Sequence, residues 1–275
     1  MPSYLVIPAD CFMNLTRIYA VVLRHLYTWS RSLERLSEVF WFPLMDLFVW
    51  GFFTLYLSSG SMGLVNPVLL ILSGLILWTV VYRSQYEISL SLAEEIWSQN
   101  LLNLFASPLS IWEFISATVL LSMVKLTVVL TLMSLMAFVL YSYNALSLGL
   151  FAIPFVAILA VFGFLMGVFI NGLILRFGKD AQALAWTAVF AVQPFSCIFY
   201  PLSILPSWAQ KISLLLPSTY VFEGMRSLII TGHLPIFYLL MGIILDLFYL
   251  VLTLIFFKNM FEKAKELGLL SRLLD

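Results

Sequence analysis

The chain has 275 residues, 63% of them hydrophobic and only 10% charged, with a formal net charge of zero and a mean hydropathy of +1.05. A soluble domain carries about 25% charged residues, so lipid is the expected solvent for most of this chain. Nucleic-acid binding needs a basic face and is excluded, and the two cysteines, Cys11 and Cys197, match neither a disulfide framework nor a metal site.

Met1 to Asp10 lacks the basic n-region and following apolar h-region of a signal peptide, so the first span is expected to direct membrane insertion. Arg17, Arg24 and Arg31 then recur every seven residues, with Arg35 in line, which puts them on one helical stripe. Ile18, Val22, Leu26, Trp29, Leu33 and Leu36 occupy a different arc. The pattern predicts an amphipathic helix within residues 1–38, lying in the cytoplasmic interface with its arginines toward lipid phosphates. A soluble-type helix packed on a partner is the alternative.

A helix needs roughly 20 apolar residues to cross ~30 Å of hydrocarbon. Six stretches qualify, at 39–57, 65–82, 114–141, 148–175, 182–200 and 234–257, giving an all-α membrane domain over 39–257 and a basic tail over 258–275. With the N-terminus inside, the cytoplasmic segments hold Arg17, Arg24, Arg31, Arg35, Arg83, Arg176, Lys179, Lys258, Lys263, Lys265 and Arg272. The external segments hold only Lys211 and Arg226. That bias predicts both termini in the cytoplasm.

Between the second and third spans, residues 83–113 carry Glu87, Glu94, Glu95 and Glu113 against a single Arg83. The segment is expected to be helical to about residue 106 and interrupted at Ser107-Pro108. An acidic helical loop of this kind is either a docking surface or a solvated connector.

Three ionisable residues fall deep in spans: Asp46, Lys125 and Asp246. Such groups are costly in lipid and are expected to face protein or water. Counting residues from the cytoplasmic ends puts Lys125 and Asp246 at one depth, so a bridge between them is expected; Asp46 as partner, or a snorkelling lysine, are the alternatives. Gly163 and Gly167, with Asn171 and Gly172 beyond, form a small-residue face expected to pack within the subunit rather than at a dimer seam. Pro154 and Pro194 are expected to kink the fourth and fifth spans. Trp41, Trp50, Trp78, Tyr82, Tyr141, Tyr143 and Tyr200 are read as interface anchors, with aromatics lining the conduit, where flat rings suit sugar faces or acyl chains, as the alternative; His25 and His233 receive no chemistry.

Beyond Tyr200, the pairs Leu205-Pro206 and Leu216-Pro217 cut the external segment into two pieces too short to cross. Together they predict a re-entrant hairpin over 201–231. Its second piece reads LPSTYVFEGMRSLIITG, with Glu223 and Arg226 three residues apart on one helical face, where they are expected to pair. Such a pair either holds the hairpin shut as a gate or only neutralises charge.

The order of these elements, with NLFASPLSIWEF at 103–114, RFGKDAQ at 176–182 and LPSTYVFEGMRSLI at 216–229, resembles the ABC-2 type transporter permeases, the membrane subunits of type V exporters. The resemblance implies a dimer of permeases, a homodimer in the simplest case, in the inner or plasma membrane. Two copies of a separate ATPase subunit would bind beneath it and carry the ATP and Mg²⁺. It also implies an ATPase-coupling region containing Glu87, Glu94, Glu95, Trp97, Asn100 and Pro108. An external re-entrant gate would contain Pro217, Tyr220, Glu223, Gly224 and Arg226. The implied cargo is a lipid-linked glycan, or alternatively a hydrophobic drug or lipid. The sequence contains no G-x-x-x-x-G-K-[ST] phosphate loop, so no catalytic residue or bound cofactor is expected in this chain. A membrane-embedded lipid-modifying enzyme would need convergent acids or histidines, and here they are scattered. A secondary transporter would break helices in both halves, and only one half is broken.

Overall fold

The computed structural model describes residues 13–60, 67–100, 103–104, 107–144 and 149–266. Met1 to Asp10, Cys11 and Arg272 lie outside the described residues. Every regular element among those described is helical. In chain order these are α1 (Leu15–Arg31), α2 (Leu33–Gly60), α3 (Pro67–Trp97), α4 (Ile111–Tyr141), α5 (Ala152–Phe177), α6 (Lys179–Gln182), α7 (Leu184–Val192), α8 (Ser207–Ser213), α9 (Pro217–Thr231) and α10 (Ile236–Glu266). Short 3₁₀ turns occupy Gln193–Phe195 and Leu202–Ile204.

Among the described residues, five helical stretches are long and apolar enough to cross a membrane: Val39–Ser58, Val68–Trp97, Ile111–Tyr141, Gly149–Phe177 and Ile236–Glu266. The sixth expected span, at 182–200, is not one helix. Gly178, with φ +69°, ends α5, and the chain restarts as α6 and α7. Pro194 has no N–H to donate, and α7 gives way to a 3₁₀ turn there. At ~1.5 Å per residue, the nine residues of α7 reach about 14 Å, half a bilayer core. Pro154, by contrast, kinks nothing: it lies in the first turn of α5, where the missing N–H has no intrahelical partner to lose.

The second span also runs further than its apolar stretch. α3 continues as one helix past Tyr82 to Trp97, so residues 83–97 are helical as expected but belong to the helix of the second span, which ends there rather than near residue 106. Hydropathy marks where lipid stops, and nothing at Tyr82 stops the helix.

α3 and α5 form the buried centre, packed along each other, with α4, α2 and α7 against α3 and with α10 and α9 against α5. The α3–α5 seam depends on missing side chains. A Cβ at Gly163 would lie 2.6 Å from Ser84 Cβ and 2.7 Å from the Val81 carbonyl, and one at Gly167 only 2.8 Å from Ile88 Cβ. Asn171 then donates from Nδ2 to the Ile88 carbonyl at 3.0 Å. The small-residue face is therefore an internal seam, as the sequence predicts. Gly163→Val is expected to overpack it and cost about 1–3 kcal/mol, read as a lower unfolding temperature of the purified protein in detergent. An unchanged unfolding temperature would show that the seam has slack.

Two residues read as interface anchors belong to the core instead. Trp78 is buried with its ring 6.4 Å from Phe222, and Tyr143 is buried with its hydroxyl 2.7 Å from that of Ser73.

Candidate functional site

Glu223 and Arg226 lie on α9, which begins at Pro217 and ends at Gly232, a left-handed cap with φ +72°. Arg226 Nη1 donates to Glu223 Oε1 at 2.8 Å. The pair does more than neutralise charge. Arg226 Nη2 donates to the carbonyls of Cys197 and Tyr200, at 2.9 and 3.1 Å, and Glu223 Oε1 accepts the Leu202 N–H at 2.7 Å. The ends of both side chains therefore hold the turn that follows α7. Cys197 takes a left-handed φ of +56°, a conformation few non-glycine residues adopt. Its carbonyl is one of the two that the guanidinium secures. One turn earlier, Thr219 Oγ1 donates to the Phe195 carbonyl at 3.1 Å and Ser218 meets Ser196 at 2.9 Å. Gly224 lets α9 approach closely: a Cβ there would sit 3.1 Å from both Phe155 and Tyr238, near the starts of α5 and α10. Tyr220 donates to the Leu214 carbonyl at 3.0 Å, tying α9 to the end of α8.

At the other end of the bundle, the arginine stripe and the acidic segment meet. Arg17 donates to the Pro108 carbonyl at 2.7 Å and lies 3.7 Å from Glu113. Arg24 pairs with Glu95, and Arg35 lies 3.2 Å from Glu94. Glu113 also caps two helices: it accepts the Ser110 N–H at the start of α4 and the Asn14 N–H at the start of α1, each at 2.8 Å. Arg17, Arg24 and Arg35 thus engage protein carboxylates rather than the lipid phosphates that the sequence predicts, and Arg31 is exposed; nor do the four share one helix, because Ser32 is extended and ends α1, which leaves Arg35 on α2 with the first span. Across this contact α1 packs on α4 and buries Ile18, Val21 and His25.

The family model described as ABC-2 type transporter matches residues 18–230, most of the chain. The chain belongs to the ABC-2 type transporter family. A search of curated proteins gives no match.

In this ABC-2 chain, the residues expected to couple to an ATPase divide into two sets. Glu87 and Glu95 are buried and Glu94 is largely so, all three engaged by side chains of the same chain, so they form no outward face. The reason is helical continuation: residues 83–97 stay on α3, whose far end packs beside α1. Trp97 and Pro108 are exposed, and Asn100 is half-buried, donating to Glu95 at 2.7 Å.

The intramembrane charges pair differently from the sequence expectation. Lys125 donates to Glu87 at 2.5 Å, and Trp29 of α1 presents its ring 5.7 Å from the ammonium. No Lys125–Asp246 bridge forms, because α4 packs on α3 whereas α10 packs on α5 and α9. Asp246 is buried on α10, and its Oδ1 has no hydrogen-bond partner among the described residues. Asp46 lies within electrostatic reach of Arg83.

His25 and Trp186 are the residues that sequence reasoning missed. His25 is buried between the two acids, Nδ1 3.9 Å from Glu94 and Nε2 3.4 Å from Glu95. Its place on the buried arc of α1, one residue from Arg24, was the available signal. Trp186 on α7 lies parallel to Trp97, with ring centroids 5.8 Å apart and planes at 6°. No local pattern signals that contact.

Proposed function

We propose that this chain is the membrane-spanning permease subunit of an ATP-driven exporter, paired with a second copy of itself and carried by two separate ATPase subunits that bind ATP and Mg²⁺. It lies in the cell membrane with both termini in the cytoplasm. On this reading it crosses six times, with α6, α7 and the turn at 193–200 forming one broken crossing and α8–α9 an external re-entrant hairpin. The match of residues 18–230 to the ABC-2 family carries the proposal.

The exposed corner at Trp97, Asn103, Ser107 and Pro108 supports an ATPase-docking role, since it projects from the longest cytoplasmic connection of this topology. The ion pairs from Arg17 and Arg24 join that corner to α1, and the pair from Arg35 joins it to α2, so a push on it reaches α1, α2 and α4 together. Copurification from native membranes tests the reading: an ATP-binding protein is expected to remain bound, and ATP hydrolysis to vanish when it is stripped away. Transport by the isolated chain would overturn it.

The cargo read here is a lipid-linked glycan. A cavity of about 500 Å³ between α5 and α10, lined by Phe162, Met166, Phe169, Tyr249 and Phe256, favours hydrophobic drug or lipid efflux as a second reading. Proteoliposomes offered a sugar-labelled polyprenyl lipid and a hydrophobic dye in parallel separate the two.

A further inference from the structure

At the α1 end of the bundle, α2, α3 and α7 line a half-open cavity of about 600 Å³, within the range of small-ligand sites. Arg35 and Trp41 of α2, Tyr86, Glu94 and Trp97 of α3, and Trp186 of α7 line it. The aromatic wall is built to be flat. Trp97 and Trp186 lie parallel, and Trp97 Nε1 donates to Gln182 Oε1 at 3.0 Å, which fixes the indole plane. Tyr86 is itself stacked on Tyr82, with centroids 5.7 Å apart and planes at 17°. The polar contribution is a matched ion pair, Arg35 Nη2 to Glu94 Oε1 at 3.2 Å.

Lipid anchoring does not account for this arrangement. Anchoring tryptophans spread around a helix bundle at headgroup level; these converge from three helices on one cavity. An acyl chain would have no use for the ion pair. A cationic drug would be met by Arg35 as well as by Glu94, and an anion by Glu94 as well as by Arg35. The chemistry that uses every wall is an uncharged ring with apolar faces and hydroxylated edges. Such a ring stacks on indole and offers hydroxyls that donate to a carboxylate and accept from a guanidinium, which carries five N–H donors.

We infer that this cavity binds a sugar ring of the cargo at the cytoplasmic mouth of the pathway, stacked on Trp41 and Trp186 and hydrogen-bonded at its edge by Arg35 and Glu94. The inference rests on the glycan reading above and names the place where that glycan is first held.

The test uses the permease–ATPase complex in nanodiscs and equilibrium binding of radiolabelled citronellyl diphospho-N-acetylglucosamine, with citronellyl diphosphate as the sugarless control. The sugar probe is expected to bind at least tenfold more tightly than the control. Trp186→Ala and Trp41→Ala are each expected to remove that advantage, and Trp186→Phe to keep most of it. ATPase copurification and unfolding temperature identify a variant that fails to fold, in which case the other alanine variant decides. A sugar advantage that survives in the folded alanine variants would overturn the cavity assignment and leave the glycan reading standing. No sugar advantage in the wild type, with saturable binding of a hydrophobic dye, would overturn both.

Discussion

Arg226→Ala is expected to lower transport by the reconstituted complex at least roughly tenfold while the ATPase still copurifies. The guanidinium holds Glu223 and the carbonyls of Cys197 and Tyr200 at once. Removing it leaves two turn carbonyls without their donor and a partly buried carboxylate with only the Leu202 N–H. Losses of this kind cost about 2–3 kcal/mol, and every ~1.4 kcal/mol is a factor of ten in an equilibrium. The cost falls on the turn after α7, in its left-handed bend at Cys197, and on the seat of α9. Docking is spared because α9 packs near Phe155, in the first turn of α5, whereas Trp97 reaches Gln182, beyond the last turn of α5. Arg226→Lys is expected to recover only part of the loss: one ammonium on a flexible stem does not reproduce a planar fork bonded on three sides. Transport at the wild-type rate in Arg226→Ala would show that the latch has no part in gating, and loss of ATPase binding would show that the damage is global.

What the sequence made legible is what depends on neighbouring residues. The breaks at Pro206 and Pro217 follow from a missing N–H, and α8 and α9 begin at Ser207 and Pro217. The Glu223–Arg226 pair follows from helical spacing, and the Gly163–Gly167 face from side-chain size. The partners of each pair across the fold were not legible in the same way. Glu87 was assigned to a loop because the apolar stretch stops at Tyr82, so Lys125 was matched to the remaining acid at its own depth. His25 looked isolated because Glu94 and Glu95 lie far along the chain. The arginine stripe holds only as far as Arg31, because the helix breaks at Ser32 and Arg35 lies on α2; lipid phosphate and protein carboxylate also offer an arginine the same oxygen chemistry, and periodicity does not distinguish them. The family strings spoke for the fold through order and spacing, and said nothing of which side chains meet inside it.

The buried Lys125–Glu87 pair yields the second large effect, and its sign depends on what is removed. Both side chains are at least nine-tenths buried, at 10% and 5% exposure. Lys125→Met leaves the Glu87 carboxylate buried without its cation, and breaking a buried pair from one side costs about 3–5 kcal/mol. That is a large fraction of the roughly 5–15 kcal/mol that holds a typical domain together. The expected result is a protein that expresses poorly or unfolds well below the wild-type temperature in detergent. Removing both charges is a different experiment. Lys125→Met with Glu87→Leu replaces the pair by apolar groups of similar volume, which in other buried pairs is neutral or stabilising. The double variant is therefore expected to regain the wild-type unfolding temperature. Whether it also regains transport separates two roles. Full transport would make the pair a structural solution to two costly charges between α3 and α4. Restored stability without transport would mean that the charge at Glu87, on the helix that continues to Glu94 and Trp97, is part of how movement at the docking corner reaches the membrane interior. A double variant as unstable as Lys125→Met alone would remove the premise that the two charges are partners.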